Sequence, residues 1–200
     1  EKNSPRYHYP EHLWEKEIVR IVRKIAQYFY PQRQTQLMNE GWATFWHYTI
    51  LNHFYDEGKM HNGFMIEFLK SHTGVVAQPP YNSDYYSGIN VYALGFAMWK
   101  DIERVAMNPT DEDRRWFGNA PWVGSGDWLS VFDFAMRNFR DESFVLQYLS
   151  PKIMRDFHLF AIYNDTEEDH YLVSAIHNDR GYERVRQILA AQYCISNIDP

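Results

Sequence analysis

Apolar residues return at helical spacing in one segment of the chain after another. Trp14, Ile18, Ile21, Val22, Ile25 and Phe29 step by three and four, while Lys16, Arg20, Arg23, Lys24 and Gln27 take the opposite side. This pattern predicts an amphipathic helix of about five turns, stopped by Pro31, which has no N–H to give. Its basic stripe suits solvent or an acidic partner. Trp42, Phe45, Trp46, Thr49, Ile50 and Phe54 predict a second, buried helix, capped by Thr35 and ending near Glu57 and Gly58. Phe64, Ile66, Phe68 and Leu69 predict a third, ending near His72 to Gly74.

The periodicity fails between Gln78 and Asn90. That stretch holds two prolines, a glycine, three tyrosines and two asparagines, which excludes helix for most of it. An irregular segment of this length inside a compact domain is usually functional or disordered, and this one is too aromatic for disorder. Asn90 is placed to cap a helix over residues 91–107, closed by Asn108 and Pro109. Thr110 caps a short helix through Trp116, with Asp111, Glu112 and Asp113 in the first turn, where the helix dipole favours them.

Residues 118–126 read as a loop, and helices follow over 127–139 and 141–149. Ser150 and Pro151 read as the cap and first-turn proline of one more short helix. From Phe157 the pattern changes. Residues 158–163 and 171–177 are short apolar runs around a polar stretch, and they predict an antiparallel β-hairpin. Asn178 or Asp179 then caps a last helix to about Tyr193.

The expected fold is mainly α, formally α+β: a multi-helix domain with one small antiparallel β-hairpin near the C-terminus. The expected organisation is a polar tail or linker over 1–12, an aromatic-rich helical domain over 13–156, and a hairpin plus helix over 157–200, packed on the same domain.

Composition narrows the function classes. A formal charge of −6 offers no basic field for nucleic acid or an anionic membrane. The longest apolar run, residues 91–99, falls far short of the roughly 20 residues of a membrane span. One cysteine, Cys194, allows no internal disulfide, which suits a reducing cytoplasm, and no signal peptide is recognisable.

Candidate chemistry gathers on the second helix and on the irregular loop. Glu40 lies beside a glycine and large aromatics, where a carboxylate is either paired or used. His47 lies about 10 Å further along the helix, on nearly the same side, and Asn39 and Tyr48 flank the pair. In the loop, Tyr81, Asn82, Tyr85, Tyr86 and Asn90 suit hydrogen bonding to a sugar or a peptide, or else pack as a structural loop. These nine residues form the candidate pocket. His53 and Glu57 have i,i+4 spacing, with His61 following, on a turn that reads as exposed. Arg140, Asp141 and Glu142 open a helix, where capping and first-turn charge account for both acids more readily than a general acid/base pair does. There is no Gly-x-Ser-x-Gly, phosphate loop or dinucleotide fingerprint.

Several long stretches carry a family resemblance. Asn39-Glu40-Gly41-Trp42-Ala43 followed by Phe45-Trp46-His47-Tyr48, the loop from Gln78 to Asn90, Tyr92-Ala93-Leu94-Gly95-Phe96, Phe139-Arg140-Asp141-Glu142-Ser143-Phe144 and Leu149-Ser150-Pro151-Lys152 together resemble the stage V sporulation protein R (SpoVR-like) family of bacteria. The resemblance runs from about Glu17 to the last residue. It implies a cytoplasmic protein of sporulation and spore cortex formation, or of stress regulation, that binds protein partners: a PrkA-type serine kinase and a protein with a von Willebrand A-like domain. It also implies that these residues are an internal segment of a longer protein.

Asn-Glu-Gly-x-Ala on a helix is similar, too, to the helix that gives the third zinc ligand in gluzincin metallopeptidases. On that reading the intact protein is a metal-dependent hydrolase with Glu40 as a ligand and the remaining ligands upstream. A catalytic zinc takes three protein ligands, and no His-Glu-x-x-His occurs in this chain. Zinc is therefore expected only in the intact protein, with no cofactor held by this segment alone. Whether the protein is an enzyme stays open at this point.

Overall fold

The computed structural model describes residues 13–80, 83–159, 176 and 178–194. Among them every regular element is an α-helix: α1 (Leu13–Arg33), α2 (Gln36–Asp56), α3 (Asn62–Val75), α4 (Val91–Met107), α5 (Asp111–Phe117), α6 (Trp128–Asn138), α7 (Asp141–Tyr148), α8 (Pro151–Asp156) and α9 (Asp179–Gln192). The α+β assignment with a C-terminal hairpin is therefore corrected to an all-α architecture among the described residues. Of the first expected strand, His158 and Leu159 are described. They continue the turn that ends α8, with His158 in the left-handed region at φ 49°. The apolar character of this segment suggested strand pairing, yet Leu159 is instead buried in the helical core. Residues 160–175 and 177 lie outside the described residues.

The core forms where α2 crosses α4. Leu37, Met38 and Phe45 from α2 meet Leu94, Met98, Trp99 and Ile102 from α4, all at most 1% exposed. The crossing is close because both helices present glycine. A Cβ on Gly41 would fall 2.3 Å from the backbone carbon of Gly95, and a Cβ on Gly95 would fall 2.4 Å from the carbonyl oxygen of Leu37. The Trp99 indole N–H donates to the Met38 carbonyl across the same crossing at 3.1 Å. Trp42, Trp99 and Phe132 of α6 then stack around it at 4.6–5.8 Å between ring centroids, distances favourable for edge-on and tilted aromatic pairs. Helix α7 packs beside this layer, and α9 covers α7 and α8.

The ends of α2 and α1 differ from expectation. Thr35 stands at the N-cap of α2, but its side chain makes no capping bond. The cap comes from 104 residues away: the fully buried Asp141 carboxylate accepts from the N–H groups of Leu37 at 2.8 Å and Met38 at 2.9 Å. The Asp141 N–H in turn donates to the Gln34 carbonyl at 2.9 Å, and Arg140 donates to the Gln34 side chain at 3.0 Å. Thus Asp141 opens α7 as expected, while its charge serves another helix. Burial pushes its carboxyl up to about 6, against the lowering effect of the backbone donors of Met38, Leu37 and Gln36. Pro31, in turn, sits within α1, which continues to Arg33. Proline removes one helical N–H, and so close to the C-terminus the loss is small.

A second charged cluster ties α4 to α5. Arg104 donates to both oxygens of Asp113 at 2.7 and 2.8 Å and to Asp101 at 2.7 Å, and Asp113 also completes the capping box with Thr110. Burial acts to raise the Asp113 carboxyl, but the Arg104 and Thr110 donors outweigh it and hold the group at about 2.

Candidate functional site

Helix α2 presents its candidate residues to two clefts. Asn39 and Glu40 line an open cleft of about 710 Å³ at the root of α1, together with Phe29, Gln32, Arg33 and Gln36. One helical turn and more along, His47 lines a smaller cleft of about 220 Å³ with Ala43, Thr44, Ser71, His72, Val75 and Tyr92. Tyr92 links the two: it lines the His47 cleft, while its phenol lies within the electrostatic reach of the Glu40 carboxylate. The Glu40 charge holds the Tyr92 phenol above its ordinary value.

The smaller cleft is shaped by aromatic packing. Tyr48, Phe68 and Phe96 surround the His72 imidazole at 5.0–5.5 Å between ring centroids, and His47 stands edge-on to the same Phe68 at 5.1 Å. His72 is 7% exposed. Burial, with a smaller contribution from His47, lowers its pKa, so the ring is neutral at physiological pH. Among the described residues neither imidazole has a hydrogen-bond partner. Tyr48, a candidate from the sequence, acts here as a wall of the His72 cage.

The loop places its residues elsewhere. Gln78 closes it, accepting from the Asn90 N–H at 2.8 Å and donating to the Gly88 carbonyl at 3.1 Å. Asn90 donates to the carbonyls of Val75 and Ala77 and accepts from the N–H groups of Tyr92 and Ala93, so its side chain is spent on loop closure and on the cap of α4. Tyr86 lines a third cleft, of about 440 Å³, with Gln78, Pro79, Pro80, Asp156, Phe157 and His158. Tyr85 is 85% exposed. Tyr81 and Asn82 lie outside the described residues. His53 and Glu57 form an exposed pair at 3.4 Å, while His61 caps α3 by accepting from the Phe64 N–H.

No group of three or more His, Cys, Asp or Glu side chains converges on a metal-sized site among the described residues. Glu40 therefore has no complete zinc ligand set beside it here, and no reaction step is derived through a metal. Sequence reasoning missed His72 and Tyr92 as neighbours of the α2 candidates. Only the α2, α3 and α4 packing brings them together, and no local spacing signals it.

The other surface feature is α1. Trp14, Ile18, Ile21, Val22, Ile25 and Phe29 are 47–62% exposed, so the apolar side read from the sequence faces solvent rather than the core. No helix of the described residues is long and apolar enough to cross a membrane.

The comparisons agree with these motifs. A family model described as SpoVR like protein matches residues 7–198. The chain is 58% identical over 200 residues to an uncharacterized protein, YcgB, of Escherichia coli (strain K12), covering 100% of this chain and 38% of that protein. The chain thus spans well under half the length of this relative. No solved structure matches it. With a family match over nearly its whole length, the chain belongs to the SpoVR-like protein family.

Proposed function

We propose that this chain is a protein-binding module of the SpoVR-like family, with α1 as its docking element. The observation that carries the reading is the bare apolar side of α1. Helices of globular proteins draw most of their stability from burying one side rather than from propensity. α1 leaves that side open, at a density of large aliphatic and aromatic groups typical of anchors in helix-in-groove recognition. The helix carries five basic residues against two acidic ones, in a chain of net charge −6. The fitting occupant is therefore an apolar groove with an acidic rim on another protein. The cleft at the root of α1 extends this surface to Asn39 and Glu40.

The family resemblance supplies the partners to test, a PrkA-type serine kinase and a protein with a von Willebrand A-like domain. It also supplies the setting, a cytoplasmic role in spore cortex formation in spore formers or in stress regulation. The experiment is a calorimetric titration of the intact protein against each partner, with Ile18→Glu/Ile25→Glu alongside. Both positions are solvent-facing, so the variant should fold normally and lose binding at least tenfold. Unchanged affinity for both partners would overturn α1 as the docking element.

The gluzincin-like hydrolase is the second reading. It is favoured by a Glu40 carboxylate that lines an open cleft, since a carboxylate there has acceptor sites to offer. Its remaining ligands would come from elsewhere in the longer protein. Metal analysis of the intact protein with Glu40→Ala tests it: stoichiometric zinc lost in the variant supports it, and zinc unaffected by the variant rejects it.

A further inference from the structure

From the α2, α3 and α4 packing we infer that His47 and His72 form a two-imidazole binding site for a divalent transition ion of the zinc class. The site is distinct from the Glu40 reading, since Glu40 lines the neighbouring cleft. Three observations point to it. The first is an imidazole that is buried and unspent. His72 is 7% exposed and walled by Tyr48, Phe68 and Phe96, and among the described residues it has no hydrogen-bond partner. Its ring nitrogens are not sealed from solvent, so they open onto the cleft, where an ion can reach them.

The second observation is convergence. His47 from α2 lines the same cleft, and both imidazoles pack against one ring, Phe68. Imidazole nitrogen is a favoured ligand of zinc-class ions, and ligands held on separate rigid helices lose little freedom on binding. The third is size and charge. At about 220 Å³ the cleft is smaller than the roughly 300–1,000 Å³ of small-molecule pockets, but it has room for an ion with its waters. Glu40, in the neighbouring cleft, adds a negative charge that acts on Tyr92 of this cleft and favours a cation over an anion. Ser71 and Thr44 line the same space; the Thr44 hydroxyl donates to the Glu40 carbonyl at 2.6 Å and keeps its acceptor capacity for metal-bound water.

With two protein ligands the remaining positions belong to water. Such a site is exchangeable and accessible, unlike the closed four-ligand sites that hold a structural zinc. A ligand from a docked protein could enter those open positions.

The test is competition for Zn²⁺ between the intact protein and a chromophoric chelator, which counts bound equivalents and ranks their affinities. His47→Gln is the primary variant, because His47 is exposed and its loss should leave the fold intact. It should remove one zinc equivalent, or weaken it at least tenfold, with the far-ultraviolet circular dichroism unchanged. His72→Gln should remove the same equivalent. His53→Gln and His61→Gln, which alter the exposed His53–Glu57 pair and the α3 cap, should leave it in place. The inference is overturned if the intact protein takes up no zinc in the micromolar range. It is equally overturned if His47→Gln retains every equivalent, or if the lost equivalent follows His53 or His61.

Discussion

Replacing Gly41 by alanine adds one methyl group at the closest point of the fold. The new Cβ would sit 2.3 Å from the Gly95 carbon, 2.5 Å from its Cα and 2.7 Å from its oxygen, all backbone atoms that no rotamer change can move. Restoring ordinary contact requires α2 and α4 to part by about 1 Å. That separation loosens the contacts of Leu37, Met38, Phe45, Leu94, Met98 and Trp99 together, because all line the same crossing. Overpacking a tight core typically costs about 1–3 kcal/mol, occasionally more, and a rigid backbone obstacle belongs at the upper end. Alanine recovers about 1 kcal/mol of helix propensity. The net loss should be about 2 kcal/mol or more. Gly74 in α3 is the internal control, for its added Cβ meets nothing within 4 Å, and Gly74→Ala should instead stabilise by up to about 1 kcal/mol. Denaturant titrations of the two variants should therefore move in opposite directions. A Gly41→Ala protein as stable as Gly74→Ala would refute the backbone contact.

Asp141→Ala strands the N–H groups of Leu37 and Met38 inside the protein and should cost about 2–4 kcal/mol in the same titration; a loss below about 0.5 kcal/mol would refute the long-range cap. Asp113, held at about 2 against an ordinary 3.8, contributes about 2 kcal/mol that is present above pH 3.8 and lost as pH falls through 2. The stability gap between wild type and Asp113→Asn should close over that window, and a gap independent of pH would count against the Arg104 pairing. Asp141 works in the opposite sense: with its carboxyl at about 6, its contribution is full below pH 3.8 and is lost as pH rises through 6, which the pH dependence of Asp141→Asn should reveal by its absence. Trp42→Ala, which removes the ring between Trp46, Trp99 and Phe132, should cost about 3–5 kcal/mol, whereas Glu40→Gln, at an open cleft, should cost far less; equal losses would make Glu40 a structural residue.

The elements that local chemistry determines were legible in the sequence. The helices follow apolar spacing, and Asn90, Thr110, Ser150 and Asn178 each cap the helix that their position indicated. What depended on distant residues was not legible. Thr35 has the right chemistry for the α2 cap, yet Asp141 takes the role from across the fold. Gly41 lies within the Asn-Glu-Gly-Trp-Ala motif, where it reads as part of a site, but its physical task is to let α4 approach. His72 had no partner in sequence because its cage is drawn from α2, α3 and α4. The apolar stripe of α1 was plain from spacing alone, but no pattern within the chain could say that it would face solvent.

The role of α1 can be read most directly by amide hydrogen exchange on the intact protein, alone and with the PrkA-type kinase or the von Willebrand A-like protein. The proposed function predicts fast exchange across residues 13–33 in the free protein and strong protection on adding one of these partners. That protection should be absent in Ile18→Glu/Ile25→Glu. Slow exchange of α1 in the free protein, unchanged by either partner, would contradict the account, because the apolar face would then already be buried within the longer chain or against a second copy.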